Sequence, residues 1–196
     1  MTLRDYSDAT PDVSYFYDNL TNAKGKLTKV SSTVSTTEYT AFDILGRVTA
    51  HKQTTDGTAY TTGYKYNLSG VLIEETYPSG RVIKNVLDAE GDLSIVLSKK
   101  NSSAGFWTYA NSFTYNAAGA ATSLQLGNGR WESTQFNSRL QPTQIALGTT
   151  GSGTLAYDLL KLNYGYGTTA NNGNVQSQTI TVSGTGGFTT VQNYAY

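Results

Sequence analysis

A motif that recurs along the chain constrains its fold more than any other feature. An aromatic residue or Leu stands directly before Asp, Asn or Gly, and successive pairs are 25, 24, 21, 28, 21, 30 and 30 residues apart. The anchors are Tyr17-Asp18, Phe42-Asp43, Tyr66-Asn67, Leu87-Asp88, Tyr115-Asn116, Phe136-Asn137, Tyr166-Gly167 and Tyr196. Such spacing is typical of a supersecondary unit that repeats and stacks on its neighbours. The sequence therefore predicts a repeat array.

Each unit carries the residues of a strand followed by a turn. A second aromatic often stands two positions before the anchor, so both rings lie on one face of a strand. Asp or Asn then starts a turn through its own backbone, and Gly accepts the positive φ that closes it. In four units that Gly comes four positions after the anchor: Gly46, Gly70, Gly91 and Gly119. Further tight turns are predicted at Asp56-Gly57, Ser79-Gly80 and Asn128-Gly129.

The expected fold is all-β, with repeated β-hairpins forming a curved or spiralling antiparallel sheet and little or no helix. Residues 154–164 have Leu at helical spacing, but we favour a strand there. Ser, Gly and Asn-rich segments at 99–111, 147–154 and 167–174 are predicted to be surface loops. Residues 1–13 are interpreted as a non-repeat leader. Residues 14–196 form an array of about seven to eight units that stops within a unit, as expected of a piece of a longer array.

Composition argues against several classes of function. Fourteen basic and fourteen acidic residues give a formal net charge of zero, and Lys99-Lys100 is the longest basic run, so a nucleic-acid partner is not expected. The chain has no Cys and one His, His51, so neither a metal site nor a cofactor is expected. No apolar stretch has the length of a membrane span.

The repeats resemble a known family, the YD repeats, also called Rhs repeats. The resemblance rests on "YDNLTNAKGKLTKV", "FDILGRVTA", "YNLSGVL" and "YNAAGAATSLQLGNGRWESTQFNSRLQPTQI" and covers residues 14–196. There are departures: Leu87 replaces an aromatic, and a long loop follows Tyr166. Phe136-Asn137 is followed by Ser138, Arg139 and Leu140, without the two residues and Gly that usually separate Asp from Arg.

The resemblance implies very long proteins whose repeats coil into a β-sheet spiral that can close into a hollow shell. In bacterial toxins such a shell contains a toxic C-terminal domain, and in animal teneurins it supports cell adhesion. Carbohydrate binding has also been suggested for such repeats. Some shells cleave themselves with aspartates, but no matching Asp-Pro motif occurs in this chain.

No set of residues indicates catalysis. His51 is interpreted as a strand-surface residue, and the adjacent Glu74 and Glu75 would point to opposite faces of a strand. The remaining acids occupy turns or, at Asp5, Asp8, Asp12 and Asp18, lack the spacing of a calcium loop. Gly-x-Gly strings at 151–156 and 165–170 lack the strand and helix of a dinucleotide site. We therefore predict that the chain is not an enzyme. An enzyme is the least favoured of the three classes of function, and a glycosidase is the favoured type within it.

The candidate site residues fall into two groups. Trp107 and Trp131 lie outside the anchor pattern and are the candidate ligand-binding residues. Residues predicted to hold the repeats together, with anchor rings stacked across neighbouring strands, are Tyr17, Asp18, Phe42, Asp43, Gly46, Tyr66, Asn67, Gly70, Gly80, Leu87, Asp88, Gly91, Tyr115, Asn116, Gly119, Gly129, Phe136, Asn137 and Tyr166.

The sequence thus predicts a structural repeat segment of a large secreted or cell-surface protein, contributing to a β-shell that encloses or presents a toxin domain. The alternative is a module that binds carbohydrate or a cell-surface partner. Expected partners are the rest of the parent chain, a toxin cargo or glycans. Open sheet edges also suggest self-association.

Overall fold

The computed structural model describes residues 2–151, 158–167, 169 and 171–196. These residues contain no helix and form sixteen strands: β1 (Leu3–Arg4), β2 (Val13–Tyr17), β3 (Leu27–Ser31), β4 (Ser35–Phe42), β5 (Val48–Thr55), β6 (Thr58–Tyr66), β7 (Leu72–Thr76), β8 (Val82–Leu87), β9 (Leu93–Lys99), β10 (Trp107–Tyr115), β11 (Ala121–Leu126), β12 (Trp131–Phe136), β13 (Pro142–Gly148), β14 (Leu160–Gly165), β15 (Ser177–Val182) and β16 (Phe188–Asn193). The prediction of an all-β fold is confirmed.

The strands are hydrogen-bonded to one another in sequence order. The strand pairs β1–β2, β4–β5, β5–β6 and β14–β15 are antiparallel, as a chain of hairpins requires. Residues 1–13, expected to be a leader outside the repeats, contain β1, which pairs with β2 through Leu3↔Ser14 and Arg4↔Val13.

Two compact units divide the chain. Unit 1 comprises Met1–Asn85 and Ser98–Phe106, and unit 2 comprises Val86–Leu97 and Trp107–Tyr196. Within each unit, the described strands contact only their neighbours in the sheet. Each unit is therefore a single layer, and no large side chain among the described residues is fully buried.

The predicted hairpin turns form in two geometries. Asp56 and Gly57 both have positive φ, at 48° and 76°, and connect Thr55 to Thr58 as a two-residue turn. Gly80 and Gly129 instead end four-residue turns, in which their N–H groups donate to the carbonyl oxygens of Tyr77 and Leu126, each at 2.8 Å.

Two of the predicted loops differ from the structure. The loop predicted at residues 99–111 extends too far, because Trp107 begins β10 and Ala110 pairs with Leu126. The loop is residues 100–106, since the alternating Trp107 and Tyr109 belong to a strand. Residues 147–148 belong to β13. In 154–164, the strand prediction is confirmed from Leu160, and residues 152–157 lie outside the described part.

Candidate functional site

The anchor residues and their turns form the contacts between successive repeats. In five turns the side-chain oxygen of Asp or Asn accepts backbone N–H groups that follow it in the chain. The pairs at 2.8–3.1 Å are Asp43 with Leu45 and Arg47, Asn67 with Val71, Asp88 with Glu90 and Asp92, Asn116 with Ala118 and Ala120, and Asn137 with Arg139 and Gln141. The side chain thus takes over donors that the turn would otherwise leave to water.

Gly closes four of these turns. Gly46, Gly70, Gly91 and Gly119 have φ between 72° and 94°, and the N–H of each donates to the carbonyl oxygen of the Asp or Asn three residues earlier. These φ values lie in the left-handed region that Gly adopts without a Cβ penalty.

The turn after Phe136 was misread from the sequence. Residues 137–140 have the same length as the other turns, and the N–H of Leu140 donates to the carbonyl oxygen of Asn137 at 2.9 Å. Leu140 itself stands at the Gly position, with a φ of 60°. The unit therefore lacks only the Gly, and no residues are missing between Asn137 and the residue that follows the turn.

Anchor side chains contact the preceding repeat. The hydroxyl of Tyr115 donates to the carbonyl oxygen of Leu93 at 2.7 Å, and that of Tyr166 to Pro142 at 2.9 Å. Leu93 and Pro142 are the first residues of the strands that follow the preceding turns. Burial raises the pKa of both Tyr hydroxyls, so they remain donors at neutral pH.

This arrangement differs from the predicted stacking of ring on ring. Among the described residues, no ring contact joins the anchors of two successive units. Tyr66 instead lies against the guanidinium of Arg47, 4.7 Å from the ring centroid. Tyr17 is 41% exposed, and Phe42, Leu87 and Phe136 are half-buried. Anchors are two strands apart, about 9–10 Å, which is too far for direct stacking.

Arginines that follow or lie within the turns form a second set of contacts that sequence reasoning missed. Arg47 pairs with Asp43 at 2.6 Å and also donates to the carbonyl oxygen of Asn67, in the next turn, at 3.1 Å. Arg139 donates to the carbonyl oxygen of Asn171 at 2.7 Å. A Gly-Arg pair recurs in the sequence at Gly46-Arg47, Gly80-Arg81 and Gly129-Arg130. It was an available signal for Arg47 but not for Arg139, which follows Ser138.

A cluster of amide side chains joins the two segments that Arg139 also connects, the turn at 137–140 and the segment around Asn171. Gln141 and Asn171 exchange two side-chain hydrogen bonds, of 2.7 and 3.0 Å. Asn137 donates to the same Gln141 oxygen at 2.8 Å. No sequence signal indicated this cluster, because Gln141 and Asn171 are 30 residues apart and belong to different repeats.

The two tryptophans lie in different environments. Trp107 is 75% exposed, and with Tyr109, Leu126, Gly127 and Asn128 it lines a shallow cavity of about 450 Å³. Trp131 is half-buried. Gly151 lies so close to its indole that a Cβ there would come within 1.7 Å of Cδ2. Trp107 is thus the Trp that presents its ring to solvent.

His51 and the adjacent Glu74 and Glu75 each have a structural partner. His51 stacks on Tyr64 at 5.9 Å between centroids, and its Nδ1 lies 3.0 Å from the Tyr64 hydroxyl. Glu74 pairs with Lys65 at 2.6 Å, whereas Glu75 accepts from the Tyr77 hydroxyl at 3.2 Å. Lys65 pairs in register with Glu74, and Tyr64 with Glu75, so the two carboxylates face opposite sides of the sheet.

Within the described part of the chain, no three potential ligands from His, Asp or Glu come together to hold a metal ion. The described residues also include no helix that is long and apolar enough to cross a membrane.

Comparisons with known proteins link this architecture to solved structures. No family model and no curated protein matches the chain. The crystal structure of TcdB2-TccC3 without the hypervariable C-terminal region matches at a TM-score of 0.71 and 18% identity, over 89% of this chain and 9% of that one. The Photorhabdus luminescens Tc holotoxin pore with mutated TccC3 matches at 0.74 and 17%, over 93% and 10%. The TcdB2-TccC3-Cdc42 structure matches at 0.73 and 17%, over 92% and 10%.

The likeness shows the fold. The chain has an Rhs/YD-repeat-like fold, as its sequence motifs predicted. It spans about a tenth of the length of the solved chains that it matches.

Proposed function

We propose that this chain is a structural segment of a larger secreted or cell-surface YD-repeat protein, in which it helps to build a β-shell that encloses or presents a toxin domain. The observation that carries the proposal is the contact that the anchors Tyr66, Tyr115 and Tyr166 make with the preceding repeat. Tyr115 binds the backbone of Leu93, and Arg47 contacts both the ring of Tyr66 and the backbone of Asn67. Such contacts extend a sheet unit by unit.

The proposed role is non-enzymatic. His51 stacks on Tyr64, Asp43 holds a turn, and Glu74 is ion-paired. A pair of carboxylates that flank one glycosidic bond must share a face, and Glu74 and Glu75 do not. A panel of chromogenic glycosides should give no turnover. Turnover that disappears on substitution of one carboxylate would contradict this part of the proposal.

Limited proteolysis tests the repeat scaffold in the chain itself. Trypsin should cut first next to Lys99 and Lys100, at the start of the 100–106 loop, while the paired strands persist. Tyr115→Phe should accelerate later cleavage, because it removes the bond to Leu93 but keeps the ring. Tyr60→Phe, at a half-exposed strand position, is the matched control. Uniform digestion of the wild type would count against the scaffold.

The enclosing role is tested in the longer protein that the proposal implies. A domain beyond the repeats should resist protease while the contacts between units hold. Arg47→Ala combined with Tyr115→Phe should make that domain protease-sensitive, and Tyr60→Phe should not. Equal sensitivity of the domain in all three proteins would contradict enclosure.

A second candidate function is binding of carbohydrate or a cell-surface partner at Trp107. The exposed indole next to Tyr109 and Asn128 combines a stacking face with a polar group. On a glycan array, Trp107→Ala should abolish the signal. Trp131→Phe should retain it, because the Trp131 ring packs against Gly151. No signal from the wild type, or one indifferent to Trp107→Ala, would remove this candidate.

A further inference from the structure

One edge of the sheet of unit 1 carries turns with exposed aliphatic tips. Strands β2 to β7 pair antiparallel in sequence order, so the turns after β2, β4 and β6 lie at the same edge. We call these segments, residues 18–26, 43–47 and 67–71, the turn edge of unit 1. Leu68 is 99% exposed, Ile44 88% and Leu45 63%. Leu68 and Ile44 are the two most exposed large apolar side chains in the described part of the chain.

The turns themselves do not require large aliphatic residues at these positions. In unit 2 the residues directly after the leading Asp or Asn are small: Ala89, Ala117 and Ser138. In all five turns the side-chain oxygen of the leading residue accepts the backbone N–H four residues later. The turn forms equally well around a small residue, so Ile44 and Leu68 need another explanation than the fold. Exposed apolar clusters of this kind mark sites that bind a protein or a membrane.

The three turns are joined into one continuous edge. The Nδ2 of Asn22, in the first turn, donates to the carbonyl oxygen of Phe42, directly before the second, at 3.3 Å. Arg47 donates from the second turn to the carbonyl oxygen of Asn67, in the third, at 3.1 Å. Neighbouring turns are two strand spacings apart, ~10 Å. The turn edge therefore presents its aliphatic tips together.

Polar groups next to the tips are bonded within their own turns. Asp43 accepts the N–H groups of Leu45 and Arg47, each at 2.9 Å, and the Nε of Arg47 at 2.6 Å. The N–H groups of Gly46 and Gly70 donate to the carbonyl oxygens of the residues that lead their turns. These groups keep their hydrogen bonds when the tips leave water, which is what an apolar solvent demands of a backbone.

The charges around the tips suit an anionic surface. The turn edge of unit 1 has three basic and two acidic residues. The equivalent turns of unit 2, residues 88–92, 116–120 and 137–141, have one basic and three acidic residues. Both Lys24 and Lys26 are exposed, and each basic residue near an anionic membrane is attracted to it. Aliphatic tips and an excess of basic residues thus occur at the same edge, and unit 2 lacks this combination.

We infer that the turn edge of unit 1 binds the surface of an anionic lipid bilayer. Ile44, Leu45 and Leu68 enter the boundary between headgroups and acyl chains, a layer ~5–10 Å deep, while Lys24 and Lys26 contact the headgroups. Side chains that protrude this far need no complementary pocket in a bilayer. A standard protein interface instead takes about 20–30 residues from each side. This binding goes beyond the shell role, which rests on contacts between repeats.

Sedimentation with vesicles tests the proposal on the intact chain. The wild type should bind vesicles of equal parts phosphatidylserine and phosphatidylcholine. Ile44→Ala combined with Leu68→Ala should lower the partition coefficient at least about tenfold, because most of both inserted side chains is removed. Both changes place Ala where Ala117 stands in its own turn, so the turns still form. Val34→Ala, 59% exposed at the opposite edge of unit 1, is the matched control and should retain binding.

Charge is tested separately from insertion. Lys24→Gln combined with Lys26→Gln should weaken binding to the phosphatidylserine vesicles and reduce its dependence on salt. Vesicles of phosphatidylcholine alone should bind the wild type more weakly and distinguish it less from this variant. Lys100→Gln, in the 100–106 loop, is the control and should bind as the wild type does. Equal losses in the two Lys variants would contradict the proposed role of Lys24 and Lys26.

A fluorescent label gives a second readout, because the chain has no Cys. An environment-sensitive dye at Leu68→Cys should shift its emission to shorter wavelengths when vesicles are added, and the same dye at Val34→Cys should not. Absence of binding by the wild type overturns the proposal, and so does an equal loss in Val34→Ala. Doubling of mass without vesicles that Leu68→Ala abolishes would assign the edge to a second copy instead. None of these results bears on the shell role, and Trp107→Ala should leave vesicle binding unchanged.

Discussion

Two turns of unit 2 share one backbone design but differ in the residue that closes them. Residues 116–119 end with Gly119, at a φ of 78°, and residues 137–140 end with Leu140, at a φ of 60°. Both closing N–H groups donate to the carbonyl oxygen of the leading Asn at 2.9 Å. The same turn therefore forms with or without Gly at its last position.

The turn without Gly has additional support. Asn137 uses its oxygen for two backbone N–H groups, as Asn116 does, and its amide nitrogen also donates to Gln141. Gln141 is in turn bonded to Asn171. A left-handed Leu costs about 1–2 kcal/mol, which is comparable to the contribution of one or two such hydrogen bonds.

The largest expected effect comes from removal of the leading Asn. Asn137→Ala should lower the free energy of unfolding by about 3 kcal/mol, because three hydrogen bonds of about 1 kcal/mol each are lost. Asn116→Ala loses two bonds and should cost about 2 kcal/mol. Urea unfolding of the two variants measures the difference. Equal losses would show that the amide cluster contributes nothing to the turn.

A smaller loss is expected when Gly is replaced. Gly119→Leu should destabilise the chain by about 1–2 kcal/mol, because Leu must adopt the left-handed region there. A Cβ at Gly119 would meet no atom within 4 Å, so the effect reports backbone strain alone. Gly105→Leu, in a loop and without a positive φ, is the control. No change in the urea midpoint of Gly119→Leu would contradict the argument.

The reciprocal change should stabilise. Leu140→Gly relieves the strain at φ 60°, although the unfolded chain then gains conformational entropy. We expect a net gain of up to about 1 kcal/mol. Leu140 is 53% exposed, so little packing is lost. Thermal unfolding is the measurement, and a lower melting temperature would show that the Leu side chain has a role of its own.

The smallest expected effect is a difference in how stability depends on pH between the turn led by Asp43 and the turn led by Asn67. Burial acts to raise the pKa of Asp43, but hydrogen bonds from the backbone and guanidinium of Arg47 and from the backbone of Leu45 outweigh it, so the pKa is lowered. The resulting stabilisation of the folded state is complete at a pH above the pKa of Asp in the unfolded chain, about 3.9. It is lost as the pH falls through the lower pKa that Asp43 has in the folded chain. Asn67, which does not titrate, leads the equivalent turn.

An acid titration of stability tests this difference. Asp43→Asn should flatten the dependence of the unfolding free energy on pH below about 4. Asn67→Asp should steepen it. An unchanged slope in Asp43→Asn would mean that its hydrogen bonds do not distinguish the charged carboxylate from the neutral acid.

The repeat register was the most predictive feature of the sequence. Asp or Asn followed three residues later by Gly predicted the turns at Asp43, Asn67, Asp88 and Asn116, because both residue types act on their own backbone. It failed at Leu140, where a residue without a left-handed preference is held in place by its surroundings. The sequence also predicted a loop at Trp107, because Ser and Gly residues precede it, but Trp107 is the first residue of β10.

The contacts between repeats were less accessible. Anchor rings were expected to stack, but the distance across two strands leaves Tyr115 and Tyr66 to contact the backbone or Arg of the preceding repeat. The cluster of Asn137, Gln141 and Asn171 had no sequence signal, because residues 30 positions apart meet only through the strand order.

The sequence by itself determined the local chemistry of this chain: hairpins, their turns and the period at which they recur. These depend on φ preferences and on side chains that bond their own backbone within five residues. Only the tertiary structure decided which residues share a face, that the sheet is a single layer in each unit, and that Trp107 is exposed while Trp131 packs on Gly151. Those properties depend on register between strands, and a shift of one residue would exchange the two faces of a strand.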